Sequence, residues 1–490
     1  MTFTNILSFT VISLVAGAWP RARRNLVLVA SLLALYWMQP AVPIRNLDFW
    51  LPTASIGLSA CVWIATFRKK ESPDPARSGA SNQKESRWIP IKENAPTVLV
   101  LLAVILAVAL LRYLGSAFSL TPTTPPEITQ VLTGLLLLAF LMVGLSVVSN
   151  RRWVAPAFLL GILAIFVILK TDSLAQAAAG LLRRATGQSV SLASALDIRW
   201  LGFSYLAFRL LHTLRDRMTG KLPEVSLREF MTYAVFFPAI ASGPIDRVER
   251  FLTDLRSEAA LSADSLLAGG ERILLGIFKK FVLADTLAIL ALNAANASQI
   301  HSALWMWVCL YAYAFRIYFD FSGYIDIALG LGRWMGFALP ENFRRPYLQP
   351  NLTAFWNSWH ITLAQWFRSY FFTPLTRALR TRAKNLPVGG IILIGQLATM
   401  VLIGLWHGVT WNFAVWGLWH GTGLFVHNRW GEWSRDRVTR LESRPAWKKS
   451  YTVLTTLVTF QYVVLGWVWF ALPTLDSSGR VFLRLFGWSG

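Results

Sequence analysis

Three histidines sit in segments otherwise dominated by aromatic and aliphatic residues. Imidazole is the side chain best suited to moving a proton near neutral pH. His360 lies in NLTAFWNSWHITLAQWFRSYFFTPL, and His407 and His420 lie in GLWHGVTWNFAVWGLWHGTGLF. A neutral imidazole can accept a proton, burial tends to keep it neutral, and a hydroxyl attacking a thioester needs such a base. His407 stands between Trp406 and Gly408, and the glycine lets a substrate or another backbone approach closely. A buried histidine bonded to a backbone carbonyl is the competing reading, and the residues alone leave both open. The other three histidines read differently. His212 is expected at an interface, just before Arg215 and Arg217; His301 is expected in a solvated loop; His427, ahead of Asn428 and Arg429, is expected at an interface.

Other chemistries are weaker. If His407 and His420 shared one helix, thirteen residues would turn about 1300° and place them on opposite faces. His420 and His427 would share a face but stand ~10 Å apart along the axis, too far for one ion. There is no HExxH and no cysteine pair near a histidine, so no metal site is expected. No GxSxG elbow is present. Ser322, in DFSGYID, precedes a glycine that a helix kink explains equally well. Asp320 and Asp326 are six apart, roughly 240° around a straight helix, so they do not form a carboxylate dyad. Each is expected to bond a neighbouring helix, an arginine or a histidine.

The elements that must position these groups are membrane helices. Of the 490 residues, 55% are hydrophobic and 15% charged, against ~25% charged in a soluble domain. Val98–Leu111 and Val131–Val148 are nearly pure aliphatic runs, and with their flanks they reach the roughly 20 residues that cross a bilayer. The net charge of +22 would suggest nucleic acid in a soluble protein. Here Lys and Arg cluster between apolar segments, at Arg21–Arg24, Arg68–Lys70, Arg151–Arg152 and Arg215–Lys221, the pattern that orients membrane proteins. No nucleic-acid partner is expected. The 23 Trp suit interfacial anchors. Cys61 and Cys309 lie inside apolar segments and build no disulfide framework.

The chain reads in two parts with a short tail. Residues 1–190 carry apolar segments near 4–18, 26–38, 51–67, 96–115, 129–149 and 153–170, with no chemical motif. The charges of Met1–Trp19 follow its apolar run, so it reads as a retained first helix with its N-terminus outside. The loop 68–94 reads as a flexible cytoplasmic linker and 115–126 as external. Residues 191–475 embed polar groups in apolar segments, which is costly in lipid unless they are paired. Pro238 and Gly243–Pro244 interrupt FMTYAVFFPAIASGPI, and such breaks survive only where protein or water satisfies the freed backbone. The stretch Arg368–Lys384, aromatic early and basic late, suits either an interfacial segment or an ordinary basic loop. Residues 476–490 form the tail. No internal repeat is visible, which weakens a transporter reading.

Five blocks carry a resemblance. FFPAIASGPIDR (236–247), GIFKKFVLAD (276–285), YFDFSGYIDIALGLGRWMGFALPENFRRPY (318–347), FWNSWHITLAQWFRSYFFTPL (355–375) and GLWHGVTWNFAVWGLWHG (404–421) occur in order. From about Trp200 to Phe470 the chain resembles the membrane-bound O-acyltransferase family, in particular its bacterial alginate O-acetyltransferase-like branch. The resemblance implies an all-α polytopic membrane protein, a ring of roughly 11–13 transmembrane helices around a tunnel, with re-entrant and interfacial helices. It implies that His407 is the catalytic histidine of the WHG block and that His360 is the second signature position. Asp320, Ser322, Trp359, Trp406, Gly408, Trp411 and His420 are expected to support the tunnel. Ala471 stands where an arginine is common in the family.

The implied function is acyl transfer in a bacterial inner membrane. An acyl group, acetyl in the first instance, passes from a cytoplasmic acyl-CoA or acyl-carrier thioester to a hydroxyl of an exported polysaccharide or of an extracytoplasmic partner acyltransferase. No bound cofactor is expected. The alternatives are D-alanyl transfer to a wall polymer and a non-enzymatic glycan or lipid transporter.

Overall fold

A computed structural model describes residues 2–66, 91–115, 119–149, 151–258, 260–383, 385–442 and 445–488. Most of the expected linker 68–94, three residues of the loop 115–126, and Lys384 lie outside these. The described chain is helical, with no strand among the described residues; an isolated antiparallel bridge joins Phe343 and Trp359. Helices are what lipid permits, because every backbone N–H and C=O must be satisfied within the segment. In order they are α1 (Phe3–Ala18), α2 (Pro20–Met38), α3 (Leu47–Thr66), α4 (Ile91–Leu110), α5 (Ile128–Val148), α6 (Val154–Lys170), α7 (Asp172–Ala185), α8 (Phe203–Met218), α9 (Leu227–Ala234) and α10 (Val248–Arg256). There follow α11 (Ala263–Ile277), α12 (Asp285–Ala288), α13 (Ala294–Gln299), α14 (Ala303–Trp334), α15 (Leu352–Trp356), α16 (Ile361–Phe367), α17 (Thr373–Arg382), α18 (Val388–His407), α19 (Trp411–Glu442), α20 (Pro445–Ala471) and α21 (Leu475–Leu485). Five of them (α3, α18, and those spanning Glu93–Tyr113, Ile128–Val148 and Trp447–Ala471) are long and apolar enough to cross a membrane. A sixth span results if α6 and α7, bent by 99°, act together. The protein is a multi-pass membrane protein.

The apolar segments expected in the first part coincide with α1 to α6. α2 starts earlier than expected because Pro20 opens it, a position where a missing N–H costs nothing, and it therefore takes in Arg21–Arg24.

The chain divides into two compact units. One comprises Met1–Ala241, Asp246–Ala263 and Trp334–Ala338. Its polar interior shows how a broken helix survives. After α9 ends, Arg209 donates to the carbonyls of Tyr233, Ala234 and Ala239 at 2.9–3.1 Å, and Ser31 Oγ accepts from Phe237 N at 3.2 Å. The backbone carbonyls released near Pro238 thus find a protein donor, one of the two ways, protein or water, in which such a break survives. Arg23, buried, likewise donates to the carbonyls of Met335, Asp254, Leu255 and Ser257.

His212 is a correction. It is buried, not interfacial: its Nε2 lies 2.9 Å from the Tyr233 hydroxyl, which in turn donates to the Asp246 carbonyl. His212 faces the packed side of α8, whereas Arg215, a turn on, is exposed.

The other unit comprises Ser242–Ile245, Asp264–Arg333 and Leu339–Gly490. Two π-helical segments interrupt its helices, at Phe278–Ala284 and at Arg368–Phe372. The second, with α17, forms the aromatic-then-basic stretch and is largely unburied. α14 runs unbroken through Gly323, so that glycine marks no kink. It marks a close approach instead: a Cβ there would meet the Gly276 carbonyl oxygen at 2.8 Å.

Candidate active site

His360 and His407 reach the site in different ways. His360 ends the α15–α16 link and caps α16 with φ 43° and ψ 52°, a left-handed conformation that costs a non-glycine residue free energy. The surrounding backbone fixes it: Ile361 N donates to the Asn342 carbonyl at 3.1 Å, and Thr362 N donates to Asn342 Oδ1 at 3.0 Å. The ring is only 3% exposed and stands edge-on to Phe321 at 4.7 Å and to Trp406 at 6.0 Å. Neither imidazole nitrogen has a hydrogen-bond partner among the described residues.

His407 is the last residue of α18 and is half-buried. Its ring packs against Trp406 (4.5 Å), Phe470 (4.7 Å), Phe413 (5.8 Å) and Trp416 (5.9 Å). A Cβ on Gly408 would come within 2.9 Å of the Phe413 ring, so the glycine lets α19 fold back closely on α18. This turn separates His407 from His420. They do not share a helix, because the chain breaks at 408–410 and α19 begins at Trp411. Both rings instead pack on Trp416, at 5.9 Å and 4.9 Å.

His420 is completely buried (0% exposed), edge-on to Trp356 at 5.3 Å, and neither of its ring nitrogens has a partner among the described residues. The Trp416 and Trp356 indole nitrogens are also buried without one. Buried polar atoms are nearly always bonded in native structures. The His420, Trp356 and Trp416 nitrogens are exceptions to that rule, gathered in one aromatic cluster. No cluster of His, Cys, Asp or Glu able to hold a metal occurs among the described residues.

The remaining candidates divide. Trp406 bridges His360 and His407, and Trp359 joins the cluster through Trp467 at 5.2 Å. Ser322 is buried on α14 next to Phe321. Trp411 is 77% exposed at the start of α19. Asp320 is half-exposed and pairs with Lys280. Asp326 is buried and pairs with Lys279 at 2.6 Å and with Arg272, which also pairs with Glu341. Both aspartates thus bond the neighbouring α11–π segment through cations. Replacing Asp326 with Ala would leave two cations facing each other, and is expected to cost roughly 1–3 kcal/mol, read as a lower thermal midpoint of the detergent-solubilised protein. His301 is exposed, and His427 is half-buried with Nδ1 3.2 Å from Thr353 Oγ1.

Sequence reasoning missed Phe321, Trp416, Trp356, Phe413 and Phe470. One signal was available: Trp356 and Trp416 each precede a histidine by four residues, one helical turn in a continuous helix. Asn412 was also missed. Its Nδ2 donates to the Leu472 carbonyl and to Ser478 Oγ, both at 2.9 Å, tying the start of α19 to the end of α20 and to α21. Asn412→Leu is expected to cost about 1–3 kcal/mol, with a thermal midpoint a few degrees lower.

The family model for the membrane-bound O-acyltransferases matches residues 123–471, a span holding both His360 and His407 and the aromatic cluster between them. The chain belongs to this family. Among its relatives, the probable alginate O-acetylase of Azotobacter vinelandii is 33% identical over 287 residues, 58% of this chain and 53% of that one. The peptidoglycan O-acetyltransferase of Helicobacter pylori is 32% identical over 56% of this chain and 52% of its own. The teichoic acid D-alanyltransferase of Streptococcus thermophilus is 32% identical over 56% of this chain and 68% of its own. The chain spans about half the length of the acetylases it matches. The O-acyltransferase family match also takes in α5 to α7, which precede the motif-bearing part.

Proposed function

We propose that the protein is an O-acyltransferase of a bacterial inner membrane, moving an acyl group, acetyl in the first instance, from a cytoplasmic thioester to a hydroxyl of an exported polysaccharide or of a partner acyltransferase. The reading is carried by the packing of both His360 and His407 against Trp406, with the His360 nitrogens left open. In the reaction, His407 takes the proton of the acceptor hydroxyl as its oxygen attacks the thioester carbonyl. The C–O bond forms, the C–S bond breaks, and the proton passes from His407 to the departing thiolate. A neutral His360 has one N–H to donate, and directed at the carbonyl oxygen it stabilises the charge that develops there. The surrounding Trp and Phe rings exclude water that would otherwise hydrolyse the thioester.

The acetyl group is favoured by the acetylase relatives, whereas the D-alanyltransferase relative, covered over 68% of its length, supports D-alanyl transfer to a wall polymer as a second reading. The ester-linked acyl content of the exported glycans, compared between wild-type and deletion strains, separates them. Loss of acetyl esters on deletion supports the first reading and loss of D-alanyl esters the second. An unchanged ester content overturns acyl transfer.

A further inference from the structure

α19 and α20 are locked together at one level. The Trp419 and Tyr462 rings stack at 4.7 Å, Trp419 Nε1 donates to the Tyr462 carbonyl at 3.1 Å, and the Tyr462 hydroxyl donates to the Trp419 carbonyl. A Cβ on Gly423 would lie 2.5 Å from that hydroxyl, so no side chain fits between the helices there. From this crossing toward Thr439 and Tyr451 a groove of 1040 Å³ runs between them, with Leu352 at its side. It stands at the upper end of the ~300–1,000 Å³ of ordinary ligand pockets.

The groove changes character along its length. Leu352, Leu418, Val426, Leu454 and Val458 wall one part, and Ser434, Arg435, Thr439, Tyr451 and Thr452 wall the other. Trp430 stands between the two, exposed and in ring contact with Trp433 at 5.0 Å. Trp is the residue type that marks the headgroup level of a bilayer. Leu418 to Trp430 covers about 18 Å of helix axis, close to one leaflet's half of the ~30 Å hydrocarbon core. Between Arg429 and Lys449 the sequence holds seven Lys or Arg against three Asp or Glu, which places the polar end at the cytoplasmic surface.

Most donors at that end are already engaged. The Ser434, Thr439, Thr452 and Thr455 hydroxyls donate to carbonyls of their own helices. Arg429 pairs with Glu432, and Arg437 stacks on Trp433 at 4.5 Å. Arg435, exposed, and Tyr451, half-buried, line the groove from opposite helices, and neither has a hydrogen-bond or ion-pair partner among the described residues. A guanidinium and a phenolic hydroxyl are donors suited to a phosphate. Here they sit at headgroup depth, at the end of an apolar channel one leaflet long. A hydrocarbon chain alone would leave both donors unused, and a soluble phosphate would leave the apolar part uncovered. A zwitterionic headgroup would bring its own cation to a surface that is already basic.

We propose that the groove between α19 and α20 is a binding site for an anionic glycerophospholipid of the cytoplasmic leaflet, of the phosphatidylglycerol type. One acyl chain lies along Leu418–Trp430, and the phosphate accepts from Arg435 and from the Tyr451 hydroxyl. The lipid thereby bridges the polar ends of the two helices. α19 carries Trp416, and α20 carries Trp467 and Phe470, which pack on it at 6.0 Å and 5.4 Å. Holding the pair together steadies one wall of the aromatic cluster around His407. Lipid binding at this groove is independent of the acyl-transfer reading.

The test uses the intact protein. Native mass spectrometry of the detergent-purified protein titrated with phosphatidylglycerol or phosphatidylcholine reads lipid retention. Thermal midpoints in phosphatidylcholine nanodiscs, with and without phosphatidylglycerol, read its effect on stability. The wild type is expected to retain one phosphatidylglycerol in preference to phosphatidylcholine and to gain several degrees from it. Arg435→Met and Tyr451→Phe are each expected to weaken phosphatidylglycerol retention about tenfold, the equivalent of one lost charge-assisted hydrogen bond, and to remove most of the thermal gain. Arg437→Met, on the same turn but stacked on Trp433, is expected to leave both unchanged. Val458→Trp, at an exposed position of the apolar wall, is expected to abolish retention by filling the groove. Equal retention of the two lipids by the wild type means ordinary annular lipid and overturns the proposal. Preference for phosphatidylglycerol that survives within twofold in both Arg435→Met and Tyr451→Phe places the lipid elsewhere and also overturns it. A dimer without retained lipid, dispersed by Val458→Trp, would assign the groove to a second copy of the chain instead.

Discussion

His407→Ala is expected to yield a folded, membrane-inserted protein whose acyl transfer is reduced by about 10² to 10⁴-fold, the range lost with a positioned general base. The expectation follows from where the ring stands. His407 closes α18 and is half-buried, so truncation removes less packing than at a sealed core position. Phe413 and Trp416 retain their contacts with Phe470, and Phe470 its contact with Trp467. The comparison with His420→Ala sharpens the result. His420 is fully enclosed, and Gly466 leaves only 3.0 Å between a would-be Cβ and His420 Nε2. Its truncation opens a cavity in a filled site and is expected to lower stability first, by about 2–4 kcal/mol, with activity following the loss of folded protein. Ester-linked acyl content, normalised to folded protein, separates the two. If His407→Ala sustains wild-type acylation per folded molecule, His407 is no base and the transfer mechanism fails.

Gly276→Leu and Gly323→Leu are each expected to abolish recovery of monodisperse protein from the membrane. α11 and α14 meet through bare backbone: a Cβ on Gly276 would lie 2.6 Å from the Gly323 carbonyl oxygen and 2.9 Å from Ile327 N, and one on Gly323 would lie 2.9 Å from Lys280 N. One turn-pair further on, a Cβ on Gly330 would lie 2.5 Å from the Gly269 carbonyl oxygen. Backbone atoms cannot swing aside as a side-chain tip does, so the helices must separate. Small residues are what permit such approach in lipid, where no hydrophobic force pulls helices together. Separation would also draw Arg272 and Lys279 away from Asp326, which lies between Gly323 and Gly330. The penalty therefore exceeds the roughly 1–3 kcal/mol of ordinary overpacking. Gly144→Ala is the control, since nothing lies within 4 Å of a Cβ there. Normal yield and thermal midpoint for both leucine variants would show that this crossing is not needed for the fold.

With the bilayer as solvent, apolar run length already fixes which segments are helical. Runs such as Val131–Val148 had to be helices, because lipid offers no partner for an open backbone group. The order of the five blocks placed the chain in its family and singled out His360 and His407. The break near Pro238 announced that protein or water must satisfy the freed backbone, and Arg209 is the group that does so.

Which face of each helix meets protein, by contrast, emerges only from packing. In water the apolar stripe of a helix identifies its packed side. In lipid both the outside and the inside are apolar, so the pattern goes silent. α3 and α5 both read as apolar spans, yet 78% of the window in Leu47–Thr66 is buried in the protein against 11% in Ile128–Val148. The same silence hid that His212 faces inward to Tyr233 and that Gly323 is a crossing point and no kink. It also hid that Trp416 joins His407 to His420 across a chain break. The left-handed backbone of His360 has the same origin: its cost is met by bonds to Asn342, eighteen residues earlier, and no local pattern encodes a partner at that distance.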